Sequence, residues 1–332
     1  MPAKQESAKI CFETIRQRKG RVALLIGAGC SKTAGIPLAW EIVEKIREVY
    51  RTRLENLAPK KQLDYSAVVA KIMPKEFLEL LRPYVKEAKV NLAHLCIAEL
   101  LKENIVDRVL TTNFDPLLIQ ACVLAGVSPA IYDCVEIADL ERVFREEQPA
   151  VYYLHGQTYG LRVSNKRRES KKVRDAIHYN IRERALIVVG YSGTSDGVLE
   201  QLKSAQTEFP VFWVPFNKQA ADEALKSLSK RKHTFIIHDY DADKFFYELF
   251  YALELELPLI ARDINKFAEH WEKRIFIPEG MLEGAETAQT RDGGPPAPAA
   301  SNDSGAIPLG PPPIPAMWKT EQAEEMNAGS RL

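Results

Sequence analysis

Residues 22–31 read Val-Ala-Leu-Leu-Ile-Gly-Ala-Gly-Cys-Ser, and this stretch decides the fold. Five apolar residues run without interruption into a glycine, which is typical of a strand buried on both faces of a parallel sheet. Similar runs, separated by patterns of helical periodicity, recur further along the chain. They lie at 106–110, 150–154, 185–189, 211–214 and 234–237, and the last helical patterns lie at 197–206, 218–230 and 242–253. This alternation predicts an α/β fold, a Rossmann-like doubly wound parallel sheet.

Composition divides the chain into four predicted parts. Residues 1–20 indicate an N-terminal helix, and residues 21–255 contain the predicted sheet together with a helical insertion at 54–104 that forms a small subdomain. Residues 256–282 are predicted to form a C-terminal helical extension. Residues 283–332 are rich in proline, glycine and alanine, with eight of the twenty prolines between Pro295 and Pro315, and predict a disordered tail.

The overall composition is that of an ordinary globular protein. Apolar residues make up 46% of the 332, and 45 basic side chains balance 45 acidic ones. Five scattered cysteines show neither a Cys-x-x-Cys pair nor a metal-binding spacing, and no apolar run approaches the length that crosses a membrane. We therefore expect a cytoplasmic protein without membrane contact.

A glycine-rich turn follows the first predicted strand. It contains Gly27, Ala28, Gly29 and Ser31, followed by the segment Gly35-Ile36-Pro37. Glycines after a buried strand let backbone N–H groups approach a pyrophosphate, although they are also common in structural strand-to-helix turns. The spacing matches neither the dehydrogenase fingerprint nor a P-loop.

The second and third predicted strands also end in polar residues. Thr111-Thr112-Asn113-Phe114-Asp115 follows one, and His155-Gly156 ends the other. The side chain of Asn113 can hydrogen-bond a ribose hydroxyl or hold a water, and a histidine can act as a general base, although a lone histidine is more often structural. Asp115 has two possible roles, as an acceptor for a ligand amide or as the N-cap of a helix beginning at Pro116.

The fourth predicted strand ends in Gly190-Tyr191-Ser192-Gly193-Thr194-Ser195-Asp196. Its glycines and small hydroxyl residues can bind phosphates, and either Ser192 or Ser195 is a candidate. Every motif thus falls at the carboxyl end of a predicted strand. Ligands bind at that edge of a doubly wound sheet, so we expect one shared pocket.

Together these motifs resemble the sirtuin (SIR2-like) family over roughly residues 20–255. The resemblance implies NAD as the substrate, with Asn113 and His155 as catalytic residues. It also implies contacts to NAD from eleven residues, which are Gly27, Ala28, Gly29, Ser31, Gly35, Ile36, Pro37, Asp115, Gly190, Ser192 and Asn217.

Two departures from sirtuin deacylases indicate the subclass. No cysteine follows Cys134, so the four zinc cysteines of the deacylases are missing and no zinc is expected, and Leu38-Ala39-Trp40 stands where the family has Asp-Phe-Arg. The pattern is similar to the SIR2-like NAD hydrolases of prokaryotic immune systems. This implies cleavage of NAD to nicotinamide and ADP-ribose by an antiphage defence effector. The alternatives are a zinc-free protein deacylase and a non-catalytic sensor of NAD or ADP-ribose.

The same resemblance implies a homo-oligomer, a separate activating partner, or both. The partner would be ATPase-like or helicase-like, or else Argonaute-like. Residues 162–184 hold nine basic and three acidic side chains. This basic stretch is either a nucleic-acid contact or a solvated loop and helix face.

Overall fold

The computed structural model describes residues 2–137, 148–157, 167–193, 197–205, 207–215, 228 and 233–275. Within them a single sheet of seven parallel strands has the order β3-β4-β2-β1-β5-β6-β7. The strands are β1 Val22–Ile26, β2 Arg108–Thr111, β3 Ala130–Asp133, β4 Ala150–Tyr153, β5 Ala185–Val189, β6 Val211–Val214 and β7 Thr234–Ile236. The predicted doubly wound parallel sheet is confirmed.

The helices alternate with these strands. In chain order they are α1 Pro2–Gln17, α2 Ala39–Val49, α3 Arg51–Leu54, α4 Tyr65–Val69, α5 Pro74–Glu87, α6 Leu92–Lys102, α7 Leu117–Ala125, α8 Arg167–Ile181, α9 Val198–Ser204, α10 Ala242–Ala252, α11 Leu259–Arg262 and α12 Ile264–Glu272. Short 3₁₀ helices lie at Ala28–Cys30 and Lys61–Leu63.

All six predicted strands are present, and β3 is a seventh that the sequence analysis missed. It is an edge strand paired only with β4 among the described strands, and its residues are half-buried or exposed rather than fully buried. Its four residues, Ala-Ile-Tyr-Asp, therefore lack the long apolar run that identified the other strands. The predicted helix at 218–230 lies outside the described residues except for Leu228, and so does the predicted tail.

The sheet separates two hydrophobic cores. Successive side chains of a strand point to opposite faces, so Val22, Leu24 and Ile26 pack into one core and Ala23 and Leu25 into the other. A third core lies among helices α2 to α5 and the segments beside them, where Ile46 and Leu81 are fully buried. Helix α6, in contrast, packs into the first sheet core.

Strand β1 lies at the point where the chain changes direction across the sheet. The following strands β2, β3 and β4 lie on one side of it, and β5, β6 and β7 lie on the other. Cys30 after β1 packs into the first core and Val198 after β5 packs into the second, so the two connections leave opposite faces of the sheet. In sheets of this class, ligands bind at the carboxyl edge where this reversal occurs. Residues 1–274 form one compact unit.

Candidate functional site

Three of the predicted site residues meet in one buried cluster at the carboxyl edge of the sheet. Ser31 comes from the loop after β1, while Asn113 and Asp115 come from the loop after β2. The hydroxyl of Ser31 donates to Asp115 Oδ2 at 2.9 Å, and Asn113 Nδ2 donates to Ser31 Oγ at 3.0 Å. Ser31 is 0% exposed, Asp115 3% and Asn113 6%. Two motifs that lie about 80 residues apart in the sequence therefore share one hydrogen-bonded site.

The sequence analysis missed the fourth member of this cluster, His94. Its Nε2 lies 3.2 Å from Ser31 Oγ, and the residue is fully buried on helix α6. We define the Ser31 cluster as Ser31, His94, Asn113 and Asp115. The sequence offered one signal for His94. Asn91 lies three residues before it, which is the spacing between an N-cap residue and the amide that its side chain accepts. The rest of the helix is mostly apolar, which predicts a core position.

Asn91 also holds the glycine-rich turn against α6. Its Oδ1 accepts the amide of His94 at 3.1 Å, which caps the helix, and its Nδ2 donates to the carbonyl of Cys30 at 2.8 Å. Asp243, in the first turn of α10, accepts the amide of Ala93 at 2.7 Å. Helix α6 is thus tied at its N-terminus both to the turn and to α10.

Burial shifts the two titratable groups of the Ser31 cluster in ways that favour their neutral forms. The pKa of the His94 imidazole is lowered to about 4 by burial. Burial also raises the pKa of the Asp115 carboxyl above its ordinary value, although the hydrogen bonds from Ser31 and the Leu117 amide act in the opposite direction. Among the described residues, no cation pairs with Asp115.

Asp115 meets its predicted capping role in part, and its role as an acceptor for a ligand amide stays a prediction. Helix α7 begins at Leu117 and its N-cap residue is Pro116, so Asp115 precedes the cap position. Its Oδ1 nevertheless accepts the amide of Leu117 at 3.2 Å, while Oδ2 faces Ser31. The carboxylate thereby joins the start of α7 to the glycine-rich turn.

The glycines of the turn are required by close backbone contact with the loop after β5. A Cβ atom on Gly27 would lie 2.7 Å from Tyr191 Cα, and one on Gly29 would lie 2.8 Å from Gly190 Cα. Gly190 has φ +67°, and a Cβ atom there would lie 2.5 Å from the Cys30 nitrogen. These glycines therefore let two loops meet, in addition to any role beside a phosphate.

Most amides of the turn are used within the protein. Gly29 donates to the Gly190 carbonyl at 2.9 Å, Cys30 to the Gly27 carbonyl at 2.8 Å, and Ser31 to the Ala28 carbonyl at 3.1 Å. The amide of Ala28 donates to no described group, and Ala28 is half-exposed. Ala28 is consequently the position in this turn whose N–H is available to a ligand oxygen.

The segment after the turn is anchored on the third core. Gly35 has φ +98°, and the amide of Ile36 donates to the Ser31 carbonyl at 3.2 Å. Ile36 is buried, whereas Pro37 is half-buried. This segment therefore packs directly behind the Ser31 cluster.

His155 lies at the equivalent edge of the neighbouring strand. In the pairing of β2 with β4, Thr111 is opposite Tyr153, so Asn113 and His155 each lie two residues beyond paired positions. The hydroxyl of Tyr153 donates to the Asp115 carbonyl oxygen at 3.3 Å, which joins the two strand ends. His155 is half-buried, in contrast to the fully buried His94.

The remaining predicted contacts divide between described and undescribed segments. Gly190 follows β5 and contacts the glycine-rich turn, and Ser192 is exposed two residues later. Asn217 and Ser195 lie outside the described residues. The part of the chain that is described holds no group of three or more His, Cys, Asp or Glu side chains arranged to bind a metal ion.

In the basic stretch at 162–184, several described cations have partners within the protein. Lys172 donates to the carbonyls of Val135 and Ile137, Arg174 pairs with Asp175, and Arg184 pairs with Asp107. These side chains are therefore less available to a nucleic acid than the sequence count indicates.

In the described part of the chain, no helix is long and apolar enough to cross a bilayer.

A protein-family model, described as the SIR2-like domain, matches residues 107–237. No curated protein sequence is similar enough to the chain to count as a match. Similar solved structures include Sir2Tm bound to a propionylated peptide, at 18% identity and a TM-score of 0.44 over 75% of this chain and 99% of that one. A Sir2 in complex with the inhibitor EX-527, 2′-O-acetyl-ADP-ribose and a deacetylated p53 peptide matches at 15% identity and 0.44, over 75% and 100%.

Proposed function

Because the chain carries a SIR2-like domain at residues 107–237, we propose that it hydrolyses NAD to nicotinamide and ADP-ribose. The observation that carries this proposal is the Ser31 cluster. In it, the loop after β1, which lies outside the matched segment, meets the Asn113 and Asp115 loop within that segment. The site is thus completed from both parts of the chain.

The polar atoms left without partners fit an NAD molecule at this edge. Asn113 is the most exposed member of the Ser31 cluster, at 6%, and its Oδ1 accepts no hydrogen bond from the described residues, so we place a ribose hydroxyl beside it. The amide of Ala28 lies at the start of the turn after β1 and suits an oxygen of the pyrophosphate. We place the nicotinamide ribose beside Asn113 and the phosphates along the glycine-rich turn.

In this proposal His155 serves as the general base. The bond between the ribose C1 and the nicotinamide nitrogen breaks, and its electron pair returns to the ring, which leaves as neutral nicotinamide. The oxygen of a water molecule bonds to C1, and its proton passes to the imidazole of His155. A half-buried ring is accessible to such a water, whereas the fully buried His94 is not.

We further propose that this hydrolase works without zinc as an effector of antiphage defence. The support is the sequence resemblance of Thr111-Thr112-Asn113-Phe114-Asp115 and Gly190-Tyr191-Ser192 to prokaryotic immune NAD hydrolases, together with the absence of cysteines after Cys134. An effector that consumes NAD must be silent until triggered. We therefore propose activation by self-assembly or by a separate ATPase-like, helicase-like or Argonaute-like partner.

Nicotinamide release from NAD tests the activity. The full chain is assayed alone and with the products of neighbouring genes, beside Asn113→Ala, His155→Ala and the control His178→Ala. His178 is a suitable control because its ring contacts the Gln201 carbonyl and Ser204 on the α8–α9 side of the sheet. We expect Asn113→Ala and His155→Ala each to reduce release at least about 100-fold, with His178→Ala unchanged.

Each other outcome identifies a different function. Full release by both site variants would refute the proposed catalytic roles. Release that requires an acylated peptide would indicate a deacylase. NAD binding without release under any of these conditions would indicate a sensor.

A further inference from the structure

We propose that His94 is a positioning residue, which acts through Ser31 to hold the Asn113 side chain with its carboxamide oxygen toward the substrate. The proposal rests on the NAD site proposed above, since that substrate supplies the hydroxyl that Asn113 would bind. His94 itself is fully buried and cannot reach solvent or a bound water at the strand edge. Its effect on the reaction must therefore pass through Ser31.

The argument begins with the hydrogen-bonding capacity of Ser31. A serine hydroxyl has one proton to donate and two lone pairs that accept. Ser31 gives its proton to Asp115 Oδ2 at 2.9 Å and accepts from Asn113 Nδ2 at 3.0 Å. His94 Nε2, at 3.2 Å, must consequently be the second donor to Ser31 Oγ.

The protonation of His94 agrees with this assignment. Burial lowers the pKa of the ring to about 4, so at neutral pH the ring is uncharged and only one of its nitrogens carries a proton. Nδ1 is buried and has no partner among the described residues, which a nitrogen bearing a lone pair tolerates better than an N–H does. The proton therefore resides on Nε2, facing Ser31.

The orientation of the Asn113 carboxamide follows from the same count of donors and acceptors at Ser31 Oγ. With one lone pair of Ser31 occupied by His94, the other accepts from Asn113 Nδ2, and the Asn113 carboxamide oxygen has no partner among the residues that the structure describes. Without His94, the Ser31 hydroxyl can turn and donate to Asn113 instead. The Asn113 side chain then flips and presents an NH₂ group where the substrate offers a hydroxyl.

Helix α6 holds His94 rigidly enough for this role. Asn91 caps the first turn of α6 and donates to the Cys30 carbonyl at 2.8 Å. Since His94 on the same helix contacts Ser31, α6 is hydrogen-bonded to both Cys30 and Ser31. The ring consequently keeps a fixed position relative to the turn that it orients.

The tautomer of His94 is measured on the full chain with nitrogen-15-labelled histidine. We expect one ring with its proton on Nε2, which stays neutral from pH 8 to pH 5 and whose signal is lost in His94→Gln. A proton on Nδ1 would overturn the proposal, because Nε2 would then accept from Ser31 and the order of donors would reverse. This measurement is independent of NAD turnover.

Kinetics of nicotinamide release test the consequence, under whichever condition activates the wild-type chain. We expect His94→Leu to lower kcat/KM about 10- to 100-fold, and His94→Gln to recover most of it, because a glutamine amide can still donate to Ser31. His178→Leu removes a half-buried histidine that also contacts a serine, Ser204, and should leave the rate unchanged.

Equal losses in His94→Leu and His94→Gln would assign His94 a packing role only, and a fully active His94→Leu would likewise overturn the proposal. If the wild-type chain releases no nicotinamide, the proposed function fails. The tautomer alone then decides whether His94 orders the cluster.

Discussion

Strand β2 has a buried aspartate cluster at each of its ends, and the two clusters differ in how their charges are balanced. At the start of the strand, Asp107 accepts hydrogen bonds from Arg184 Nε, at 2.9 Å to Oδ1 and 2.8 Å to Oδ2, and Arg184 Nη2 lies 2.6 Å from Oδ2. Arg108 Nη1 lies 3.4 Å from the same oxygen. At the other end, the Asp115 carboxyl accepts hydrogen bonds from the Ser31 hydroxyl and from backbone amides, and no cation among the described groups pairs with it. One aspartate is neutralised by cations and the other is not.

The difference agrees with a structural role for the first cluster and with the NAD site that we propose for the second. Arg108 further donates to the carbonyls of Asp107 and Gln148, so the first cluster joins β2 to neighbouring backbone. In the Ser31 cluster, Asn113 Oδ1 and His94 Nδ1 are buried and have no hydrogen-bond partner among the described residues. Unpaired buried polar atoms cost stability. We propose that the bound substrate supplies the partner that Asn113 Oδ1 lacks.

The largest expected effect is on the charged cluster. Asp107→Asn leaves Arg184 partly buried without its counter-charge, so we expect the free energy of unfolding to fall by about 3–5 kcal/mol. Urea denaturation measures this fall. The same substitution at the partly exposed Asp175, which pairs with Arg174 and Lys171, should cost less than about 1 kcal/mol.

The rate of nicotinamide release per folded molecule should be unchanged in Asp107→Asn, since the residue lies at the far end of the strand. A fall in unfolding free energy no larger than that of Asp175→Asn would contradict the structural role of the first cluster. A specific loss of turnover would contradict the functional separation of the two ends.

The sequence alone predicts the sheet and the edge at which the site lies. Apolar runs identify six strands because buried parallel strands are apolar on both faces, and polar residues after those runs mark the carboxyl edge. Strand β3 carries neither signal: Ile131 is exposed, and its neighbours are only half-buried. Edge strands of this kind need tertiary information to be recognised.

The detailed chemistry of the site is less accessible to sequence reasoning. Gly27, Gly29 and Gly190 look like phosphate-binding glycines, but only the fold shows that each faces another backbone. His94 lies within an apolar helix, and its partner Ser31 is 63 residues away, so no local pattern connects the two. Contacts between loops of distant strands depend on the order of strands in the sheet, which the motifs do not encode.

An intermediate effect is expected from acid. His94 has its pKa lowered from 6.5 to about 4 in the folded state, so the unfolded chain takes up a proton first as the pH falls. Stability is therefore lost progressively below about pH 6.5, by about 2 kcal/mol between pH 7 and pH 5 from this one group. Asp115 acts in the opposite direction, because its pKa is raised and protonation favours the folded state.

Urea denaturation at the two pH values measures this dependence in wild type, His94→Gln and His178→Gln. Removal of His94 should reduce the acid loss by about 2 kcal/mol, whereas His178→Gln should retain most of it. Equal acid losses in wild type and His94→Gln would show that His94 takes up its proton equally in both states, which contradicts its burial as a neutral ring.

Of these variants, Asp115→Asn should change the stability least, and it tests most directly how the two aspartate clusters differ. Asp115→Asn replaces a carboxyl whose charged form is disfavoured by burial, and this relief offsets the weakened hydrogen bond to Ser31 or to the Leu117 amide, so the free energy of unfolding should change by less than about 1 kcal/mol. Nicotinamide release should nevertheless fall at least about 10-fold, because an amide group replaces the carboxyl whose Oδ2 accepts the Ser31 proton. Stability and turnover are measured on the same sample. A loss of stability as large as that of Asp107→Asn would mean that Asp115, like Asp107, mainly stabilises the fold.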